Sequence, residues 1–460
     1  MCIIPPHASE RRRNDTNAAT SPTLNHHAPA VDPDAPVPGA RASLVLLLLI
    51  NLFNYIDRYV LAAVEPKIRD EFFRPDDPNA LAKMGSLATA FMVSYMVAAP
   101  IFGWLADRMS RWLLVGVGVI LWSLASGASG LAPVFGVLLL TRLFVGVGEA
   151  GYGPAAPTII SDLYPVRRRG AVLSWFYMAI PVGSALGYVL GGIVADHWGW
   201  RWAFYVVVPP GILLGILCLM KRDPRVGTAA HRSSKRASMR DYLALLKIRS
   251  YVLDCAGMTA MTFAIGGISF WMPHYVAEYR QAGSLAHVNT IFGGLTVVGG
   301  LTATLLGGLV GDALRGRFPG SYFLVSGWGI LIACPFVIAM LYTPFPYAWA
   351  MIFLAVFFLF FNTGPSNTIL ANVTRPSVRA TAFALNIFLI HALGDAVSPP
   401  LLGKIVGGEQ RWNAAFFVVA GVMALAGVLW LLGSRHLHAD TLAAGDEDRA
   451  DNPSTAHSPA

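Results

Sequence analysis

Residues 103–111 read Gly-Trp-Leu-Ala-Asp-Arg-Met-Ser-Arg, and they separate two long apolar stretches at 84–105 and 112–132. Each stretch has about the 20 residues that a helix needs to cross a bilayer. The segment between them is short and contributes one acidic and two basic side chains. This arrangement predicts a tight polar turn at a membrane surface, joining two membrane-spanning helices.

The rest of the chain alternates in the same way between apolar stretches and polar turns. Of its 460 residues, 55% are hydrophobic and 13% are charged, whereas a soluble domain carries about 25% charged residues. In lipid, every backbone polar group must be satisfied internally, so we expect the stretches to be helices. The sequence predicts an all-α membrane protein with twelve spans, at 42–65, 84–105, 112–132, 134–158, 171–193, 202–220, 251–275, 289–311, 322–342, 348–371, 380–403 and 413–433.

The basic residues are distributed unevenly between the two sides of this predicted membrane domain. With the N-terminus placed in the cytoplasm, 24 of the 34 Lys and Arg residues fall in cytoplasmic segments and 8 fall in external ones. This bias follows the positive-inside rule, and it predicts that both termini are cytoplasmic. Because the net charge of +8 comes from short membrane loops, we expect no nucleic-acid partner.

Three landmarks occur twice in the chain, with the copies separated by roughly 205–210 residues. Gly103 and Asp107 recur as Gly308 and Asp312, Arg169 before a helix recurs as Arg379, and Arg201-Trp recurs as Arg411-Trp. A repeat at one offset indicates two pseudo-symmetric six-helix bundles in the same orientation.

The predicted helices and the polar stretches between them divide the chain into five parts. The four cysteines are far apart and form neither a metal-binding motif nor a disulfide framework, so we expect no metal site. The parts are a disordered cytoplasmic tail at 1–41, a first bundle at 42–220, a basic cytoplasmic linker at 221–250, a second bundle at 251–433 and a disordered cytoplasmic tail at 434–460.

Polar residues interrupt the first predicted helix in the stretch Asn54-Tyr55-Ile-Asp57-Arg58. An Arg at the bilayer centre costs about 2.5–3.5 kcal/mol on insertion scales, so such residues face the bundle interior and have partners. Asn54 and Arg58 share one helical face, with Asp57 beside it. The group is either a functional site or an ion pair that only fixes the packing of the helices.

The fourth predicted helix contains a second polar group, Arg142 and Glu149, which are seven residues apart and share a face. Gly146 and Gly148 between them permit close helix contact. A buried carboxylate near an Arg is balanced between proton binding and release, so Glu149 and Asp57 are candidate proton-coupling residues. By depth along their helices, we expect Asp57 to pair with Arg142 in at least one state, leaving Glu149 the deeper and more isolated carboxylate.

The second bundle has intramembrane residues that are polar but mostly uncharged. Asn362 and Ser366 lie one turn apart in the tenth helix, and Asn386 and His391 lie in the eleventh. We expect them to line a substrate cavity together with Asn54 and Tyr55. His391 is either a proton-binding group or a packing residue.

The turn at 103–111 resembles the loop between helices 2 and 3 of the major facilitator superfamily. The resemblance implies that Gly103, Asp107, Arg108 and Arg111, with Gly308 and Asp312, form a cytoplasmic gate that stabilises the outward-open state.

Within that superfamily, residues 42–433 resemble the spinster branch. The stretches that are similar are Asn54-Tyr-Ile-Asp57-Arg58, Gly146-Val-Gly-Glu149-Ala150, Ala179-Ile-Pro181-Val-Gly183 and His391-Ala-Leu-Gly394-Asp395. The resemblance implies that Asp57, Arg58 and Glu149 form the polar site, with Arg58 and Arg142 as charge partners or head-group ligands. It also implies a transporter and not an enzyme, without a cofactor, driven by a proton gradient and working by alternating access.

The expected substrate is amphipathic or anionic, such as a lysolipid, and the alternative is uptake of a small hydrophilic organic acid. An alternative from another class is a receptor or scaffold that transports nothing. We expect a monomer surrounded by membrane lipid in a bacterial cytoplasmic membrane, because the tails are short.

Overall fold

A computed structural model describes residues 37–106, 108–223, 243–375 and 378–451. Within these ranges, twelve helical segments are long and apolar enough to cross a membrane, and we number them spans 1 to 12. Spans 1 to 6 are Ala40–Phe72, Ala80–Ala106, Arg111–Gly130, Phe135–Leu163, Val166–Trp198 and Trp200–Leu219. Spans 7 to 12 are Arg249–Tyr279, Leu285–Arg315, Ser321–Tyr342, Ala348–Val373, Arg379–Val406 and Trp412–Gly433.

The predicted all-α membrane fold with twelve spans is therefore confirmed. Span 1 extends seven residues past its predicted end, to Phe72. Several spans are broken or locally widened. Span 4 consists of helices Phe135–Ala150 and Ala155–Leu163, span 6 of Trp200–Tyr205 and Val208–Leu219, and span 10 of Ala348–Phe360 and Thr363–Val373. Span 7 ends in a π-helix at Tyr275–Tyr279, and span 11 consists of Arg379–Ile390, a π-helix at His391–Asp395 and Ser398–Val406.

Small residues set the packing distances inside the first bundle. A Cβ on Gly183 of span 5 would lie 2.6 Å from the Leu52 carbonyl oxygen of span 1, and one on Gly187 would lie equally close to the Ile56 oxygen. In span 4, a Cβ on Gly148 would lie 2.7 Å from the Trp122 nitrogen of span 3. These glycines let neighbouring helices touch backbone to backbone, as membrane helices commonly do.

The twelve spans place both ends of the membrane domain on one side, which we call the terminal side, and the opposite side is the far side. The two bundles meet in the far half of spans 2 and 11. There, a Cβ on Gly85 would lie 2.5 Å from the backbone of Pro399, and one on Gly403 would lie 2.5 Å from the Leu81 oxygen. The Thr89 hydroxyl also donates to the Ala396 oxygen over 2.6 Å.

Spans 5 and 8 meet in the same way, also in their far halves. A Cβ on Gly293 would lie 2.9 Å from the Ala185 oxygen. In contrast, the terminal halves of the facing helices are exposed, with Val97 of span 2 at 65% and Leu305 of span 8 at 68%. The space between the bundles is therefore closed on the far side and open on the terminal side.

The chain after span 12 differs from the prediction of a disordered tail at 434–460. Residues Leu437–Asp451 form a helix. Leu437 is 2% exposed, and an Asp440 oxygen accepts a 2.8 Å hydrogen bond from the Ser250 nitrogen at the start of span 7. An apolar anchor and a capping contact thus hold this segment against the second bundle. The N-terminal tail and most of the linker, at 1–36 and 224–242, lie outside the described residues.

Candidate functional site

A cavity of about 220 Å³ lies between the two bundles, on the terminal side of their contacts. Its wall is mostly apolar and aromatic, with two arginines, a histidine and an aspartate. The lining residues come from spans 1, 2, 4, 7 and 11 and are Tyr55, Arg58, Tyr59, Leu61, Ala62, Ala88, Phe91, Met92, Arg142, Val145, Ile265, Gly266, Ser269, Phe270, His391, Asp395 and Pro399.

Arg58 of span 1 pairs with Glu149 of span 4 at the wall of this cavity. The Arg58 Nη2 lies 2.6 Å from the Glu149 Oε2, and the Arg58 Nε donates to the same oxygen over 2.7 Å. The Arg58 side chain is 19% exposed and that of Glu149 is 1% exposed. The guanidinium therefore faces the cavity while the carboxylate lies behind it, so a ligand in the cavity would meet the cation first.

Aromatic rings surround the Arg58 guanidinium on its remaining sides. Its central carbon lies 4.8 Å from the Phe91 ring centroid, 5.2 Å from that of Tyr55 and 5.6 Å from that of Tyr95. Arginine is attracted to aromatic faces at such distances. The rings fix the guanidinium in place and surround it with an apolar collar.

The expected pairing of Asp57 with Arg142 is absent from this conformation, in which both side chains are described. Asp57 instead accepts a short hydrogen bond from the Ser126 hydroxyl of span 3, and the Arg142 Nη2 donates to Ser129 over 2.9 Å. Asp57 and Arg58 are neighbours, and consecutive residues point about 100° apart on a helix. Asp57 consequently faces span 3 while Arg58 faces span 4, so Glu149 is the paired carboxylate and the expectation of its isolation is wrong here.

Four buried polar atoms of this region have no hydrogen-bond partner among the described residues. They are the Asn54 Nδ2, the Asp57 Oδ2, the Arg142 Nε and the Glu149 Oε1. Most buried polar atoms in proteins are paired, and an unpaired one calls for a functional or structural explanation. Each candidate carboxylate thus has one oxygen that accepts a hydrogen bond and one oxygen with no donor within hydrogen-bonding distance among the described residues.

His391 and Asp395 form the polar group on the opposite wall. The His391 Nδ1 lies 3.0 Å from the Asp395 Oδ2, and the imidazole lies edge-on to Tyr95 of span 2, with ring centroids 6.4 Å apart. Both residues belong to the π-helix of span 11. π-Helices are rare and occur frequently at functional sites, so the widened turn brings both side chains to the cavity.

Several residues predicted to line the cavity do not reach it. Asn362 and Ser366 are buried and bond to carbonyl oxygens of their own helices, and the Asn386 amide faces Met258 of span 7. Asn54 is buried behind the wall. Asn362 and Asn386 thus donate inside the bundle, while their amide oxygens are buried without a hydrogen-bond partner among the described residues. Only Tyr55 and His391 of the predicted set line the cavity.

The two glycines of the predicted cytoplasmic gate have no close neighbour in this conformation. A Cβ on Gly103 or Gly308 would meet nothing within 4 Å, so neither glycine has the close helix contact expected of it. The Arg108 guanidinium packs over its neighbour Trp104, 3.9 Å from the ring centroid. Asp107 lies outside the described residues.

Arg111, which is also part of the predicted gate, is buried, with its side chain only 1% exposed. It forms ion pairs of 2.7 Å with Asp162 at the end of span 4 and with Asp223 after span 6. Asp312, which corresponds to Asp107 in the second half of the chain, accepts a 2.7 Å hydrogen bond from the Tyr322 hydroxyl. Arg111 thus cross-links the terminal end of the first bundle from inside.

Sequence reasoning missed two buried acids of the spans, Glu65 and Asp254, which are both 0% exposed. Glu65 lies at the predicted end of span 1 and Asp254 lies near the predicted start of span 7. A charged residue in such a position is readily assigned to the adjoining loop. The rule that acids inside apolar helices have partners would have found them had the spans been drawn longer. The aromatic collar of Arg58 had no sequence signal beyond aromatic composition.

Two six-helix bundles around a central cavity that is closed on one side and open on the other are the architecture of a secondary transporter. The Major Facilitator Superfamily profile matches residues 47–399. The chain belongs to this superfamily and, within it, to the spinster family. It is 36% identical to the sphingosine-1-phosphate transporter of Danio rerio, over 86% of this chain and 82% of that one.

Other spinster proteins are similarly close. Protein spinster homolog 1 of Homo sapiens is 36% identical, over 82% of this chain and 76% of that one. Protein spinster of Drosophila melanogaster is also 36% identical, over 83% of this chain, and the match spans 66% of the Drosophila protein. The chain is accordingly a multi-pass integral membrane transporter.

Solved structures agree on the fold. A bacterial homolog of the human lysosomal transporter Spinster, in an inward-facing and unoccupied conformation, gives a TM-score of 0.77 at 22% identity, covering 88% of this chain and 99% of that one. A D-xylose–proton symporter gives 0.69 at 16% identity, covering 84% of this chain and 96% of that one. At these identities, the likeness concerns the fold alone.

Proposed function

We propose that the chain is a proton-coupled carrier of an anionic, amphipathic organic molecule of the lysolipid kind. One observation carries the proposal: the cavity-facing cation Arg58 is held by Glu149, whose second oxygen is buried and unpartnered. Two ligands can bind at this pair: a proton can replace Arg58 at Glu149, and an anion can replace Glu149 at Arg58. The site can therefore link their binding.

The proposed exchange follows from charge balance. When Glu149 is ionised, it neutralises Arg58 and leaves little attraction for an anion. When Glu149 takes up a proton, Arg58 keeps its full charge and the collar of Tyr55, Phe91 and Tyr95, so an anionic head group can bind there. Charge-assisted contacts between Arg and a carboxylate or phosphate are among the strong hydrogen bonds. Asp57, with its own unpartnered oxygen, is the second proposed proton site, and His391 is the third.

The apolar part of the substrate is supported by the cavity wall and by the relatives. Met92, Val145, Ile265 and Phe270 contribute apolar surface beside the two arginines. The zebrafish relative is a sphingosine-1-phosphate transporter and an Arabidopsis thaliana relative, 30% identical, is a probable sphingolipid transporter. An anionic head at Arg58 with an apolar tail along this wall fits both observations.

The membrane orientation is also part of the proposal. The excess of basic residues makes the terminal side cytoplasmic, so the structure would be the inward-open state. We propose a bacterial cytoplasmic membrane and a monomer as the transporting unit, with the proton gradient as the driving force and no cofactor.

The experiment is proton movement in proteoliposomes that contain a pH-sensitive dye. Wild type, Glu149→Gln and Asp57→Asn are compared with a panel of lysolipids and small organic acids. We expect proton movement with the lysolipids that is lost in Glu149→Gln. The matched control is Glu409→Gln, which should behave as wild type. It removes a carboxylate from a pair with Arg411 in which Glu409 is 73% exposed and Arg411 is 61% exposed.

Each other outcome assigns the function differently. Proton movement with organic acids alone would replace the lysolipid with a small hydrophilic substrate. Substrate movement without proton movement, in wild type and all variants, would disprove the coupling. Proton movement retained in Glu149→Gln and lost in Asp57→Asn would transfer the coupling role to Asp57.

A further inference from the structure

A second buried acid–base pair joins the two bundles on the far side, away from the cavity. Glu65 lies in span 1 and His274 lies in span 7, and their side chains are 0% and 1% exposed. The His274 Nδ1 makes a short hydrogen bond with the Glu65 Oε2. The contact crosses from one bundle to the other, so it exists only while the bundles meet on this side.

The surroundings of His274 determine how it bonds. The Arg69 Nη1 lies 3.0 Å from the His274 Nε2. Because a guanidinium can only donate, this nitrogen accepts and the Nδ1 carries the hydrogen that Glu65 receives. One neutral imidazole therefore links a carboxylate and a guanidinium that both belong to span 1.

The other groups near His274 are aromatic rings that contact it and charged residues that bond elsewhere. Two rings flank the imidazole: the centroid of Trp412 lies 5.1 Å away and that of Trp271 lies 5.9 Å away. Arg69 also pairs with Asp70, which is 60% exposed. On the following turn of span 7, Glu278 is exposed and Arg280 donates to carbonyl oxygens near the end of span 9. Just before span 12, Arg411 pairs with Glu409 in solvent.

The Glu65–His274 pair differs from two further side-chain contacts between the bundles. Asn289 donates to the Ala63 oxygen over 2.9 Å, and Tyr188 donates to the Ser269 oxygen over 2.5 Å. Those contacts use a neutral side chain and a backbone oxygen. In the Glu65–His274 pair both partners are titratable side chains, and the Glu65 Oε1 is buried without a hydrogen-bond partner in the described structure. Closure thus removes a carboxylate from water and leaves it half satisfied.

We propose that the Glu65–His274 pair is the polar latch of the far side, a pair of positioning residues that sets how often this side opens during transport. The inference rests on membership in the transporter family and is independent of the proposed substrate and of proton coupling. When the bundles separate on the far side, water hydrates both groups. While they are closed, Glu65 depends on His274 for its hydrogen-bond partner, and the His274 Nδ1 depends on Glu65 for its acceptor.

The sign of each substitution follows from this dependence. Removing one member of a buried pair leaves the other buried and unpartnered, which disfavours the closed state. Replacing both members by apolar residues of similar size is often neutral or favourable, because no polar group is then left to desolvate. Single substitutions should open the far side, and the double substitution should close it again. A pair that served only to stabilise one bundle would show no such reversal.

The test measures the distance across the far side by pulsed electron spin resonance, at one pH and without substrate. Spin labels are placed on Cys at Leu131 and Tyr347, which are 72% and 71% exposed in far-side loops of the two bundles, after replacement of the four native cysteines. His274→Leu should raise the ratio of open to closed protein by about tenfold or more, and Glu65→Leu should raise it less because the residue it strands is neutral. The combination of both should return the ratio to that of wild type or lower.

The matched control is Glu71→Gln. Glu71 pairs with Arg201 over 2.5 Å at the same membrane side, and both residues belong to the first bundle. Its loss should leave the distance distribution unchanged. Glu65→Gln is the conservative variant, which keeps the shape and should still open the far side. A wild-type distribution in folded His274→Leu and Glu65→Gln, or a double variant that is more open than either single one, would overturn the proposal.

Discussion

Arg58 and Glu149 form a bridge from span 1 to span 4, with the Nη2 and Nε of the guanidinium both bonded to the carboxylate Oε2. Both bonds go to one oxygen, and the Oε1 is buried without a partner in the described structure. A symmetric fork would use both oxygens. The pair is therefore strong enough to hold the collar of rings together, yet it leaves a proton-accepting atom open.

Substitution of Arg58 separates the charge of this pair from its geometry. Arg58→Met should lower the free energy of unfolding by about 3–5 kcal/mol, because Glu149 is left as an uncompensated buried charge. Arg58→Lys should cost less, since it keeps the charge but loses the two-pronged bond and the stacking on rings. Chemical unfolding in detergent measures both. Combining Arg58→Met with Glu149→Gln should restore most of the loss, and no restoration would contradict this account.

The hydrogen bond between Ser126 and Asp57 holds span 1 against span 3. Ser126→Ala removes the one donor that Asp57 has among the described hydrogen bonds. We expect the free energy of unfolding to fall by about 1–3 kcal/mol, the cost of a buried acceptor without a partner. Thr290→Ala is the control, because that exposed hydroxyl bonds only to the Ala286 oxygen of its own helix. Equal stability of the two variants would contradict the prediction.

Gly85 lets spans 2 and 11 touch on the far side. Gly85→Ala would place a Cβ 2.5 Å from the Pro399 backbone, which cannot move aside as a side chain can. We expect this variant to favour the far-side-open state and to transport more slowly. The distance between labels at Leu131 and Tyr347 measures the shift. Gly294→Ala is the control, since its Cβ meets nothing within 4 Å. An unchanged distance in Gly85→Ala would contradict the prediction, because it would show that the two helices accommodate the added Cβ without separating.

Asp254 is a buried acid that the proposed exchange does not use. Its Oδ1 accepts a 2.8 Å hydrogen bond from the Trp430 Nε1, and its Oδ2 has no hydrogen-bond partner in the described structure. Asp254→Asn should keep the bond through its amide oxygen and leave both transport and stability unchanged or improved, because a buried charge is costly. Trp430→Phe should lower the free energy of unfolding by about 1–3 kcal/mol. Thermal unfolding of both variants decides the matter, and a loss of transport in Asp254→Asn would give this acid a functional role.

Asp440 acts as a remote cap for span 7, because it accepts from the Ser250 nitrogen in the first turn of that helix. Asp440→Ala should lower the free energy of unfolding by about 0.5–2 kcal/mol, the usual value of a helix cap. Asp440→Asn keeps an acceptor oxygen and should cost less. If the two variants are equally stable, the contact contributes nothing to the docking of the last helix.

The spans and the main charged residues could be predicted from sequence for a simple reason. A bilayer forces about 20 apolar residues into each crossing, so Asp57, Arg58, Arg142 and Glu149 stand out as exceptions within apolar runs. Their burial in the first bundle agrees with that expectation. The polar residues of the second bundle stood out equally, but Asn362 and Asn386 donate to groups inside the bundle and do not reach the cavity.

The partners of these residues could not be predicted. Asp57 and Arg58 are adjacent in sequence, yet the helical turn sends one to span 3 and the other to span 4. Which serine meets Asp57 depends on how spans 1 and 3 cross, and span 3 offers Ser123, Ser126 and Ser129. Depth along a helix was a poor guide, because it ignores the direction around the helix. The π-helix that turns His391 and Asp395 toward the cavity also has no simple sequence pattern.

The one-sided opening of the cavity has a pharmacological consequence. In this conformation, a blocker that binds against Arg58 can enter only from the terminal side, since glycine-mediated backbone contacts seal the other. A charged compound that cannot cross lipid would thus reach this conformation from one compartment and not from the other. The same compound attached to a long acyl chain could instead arrive through the membrane between the separated ends of spans 5 and 8, where apolar side chains such as Leu305 are exposed. The shape of the open side thereby favours amphipathic inhibitors with an acyl chain over small charged inhibitors.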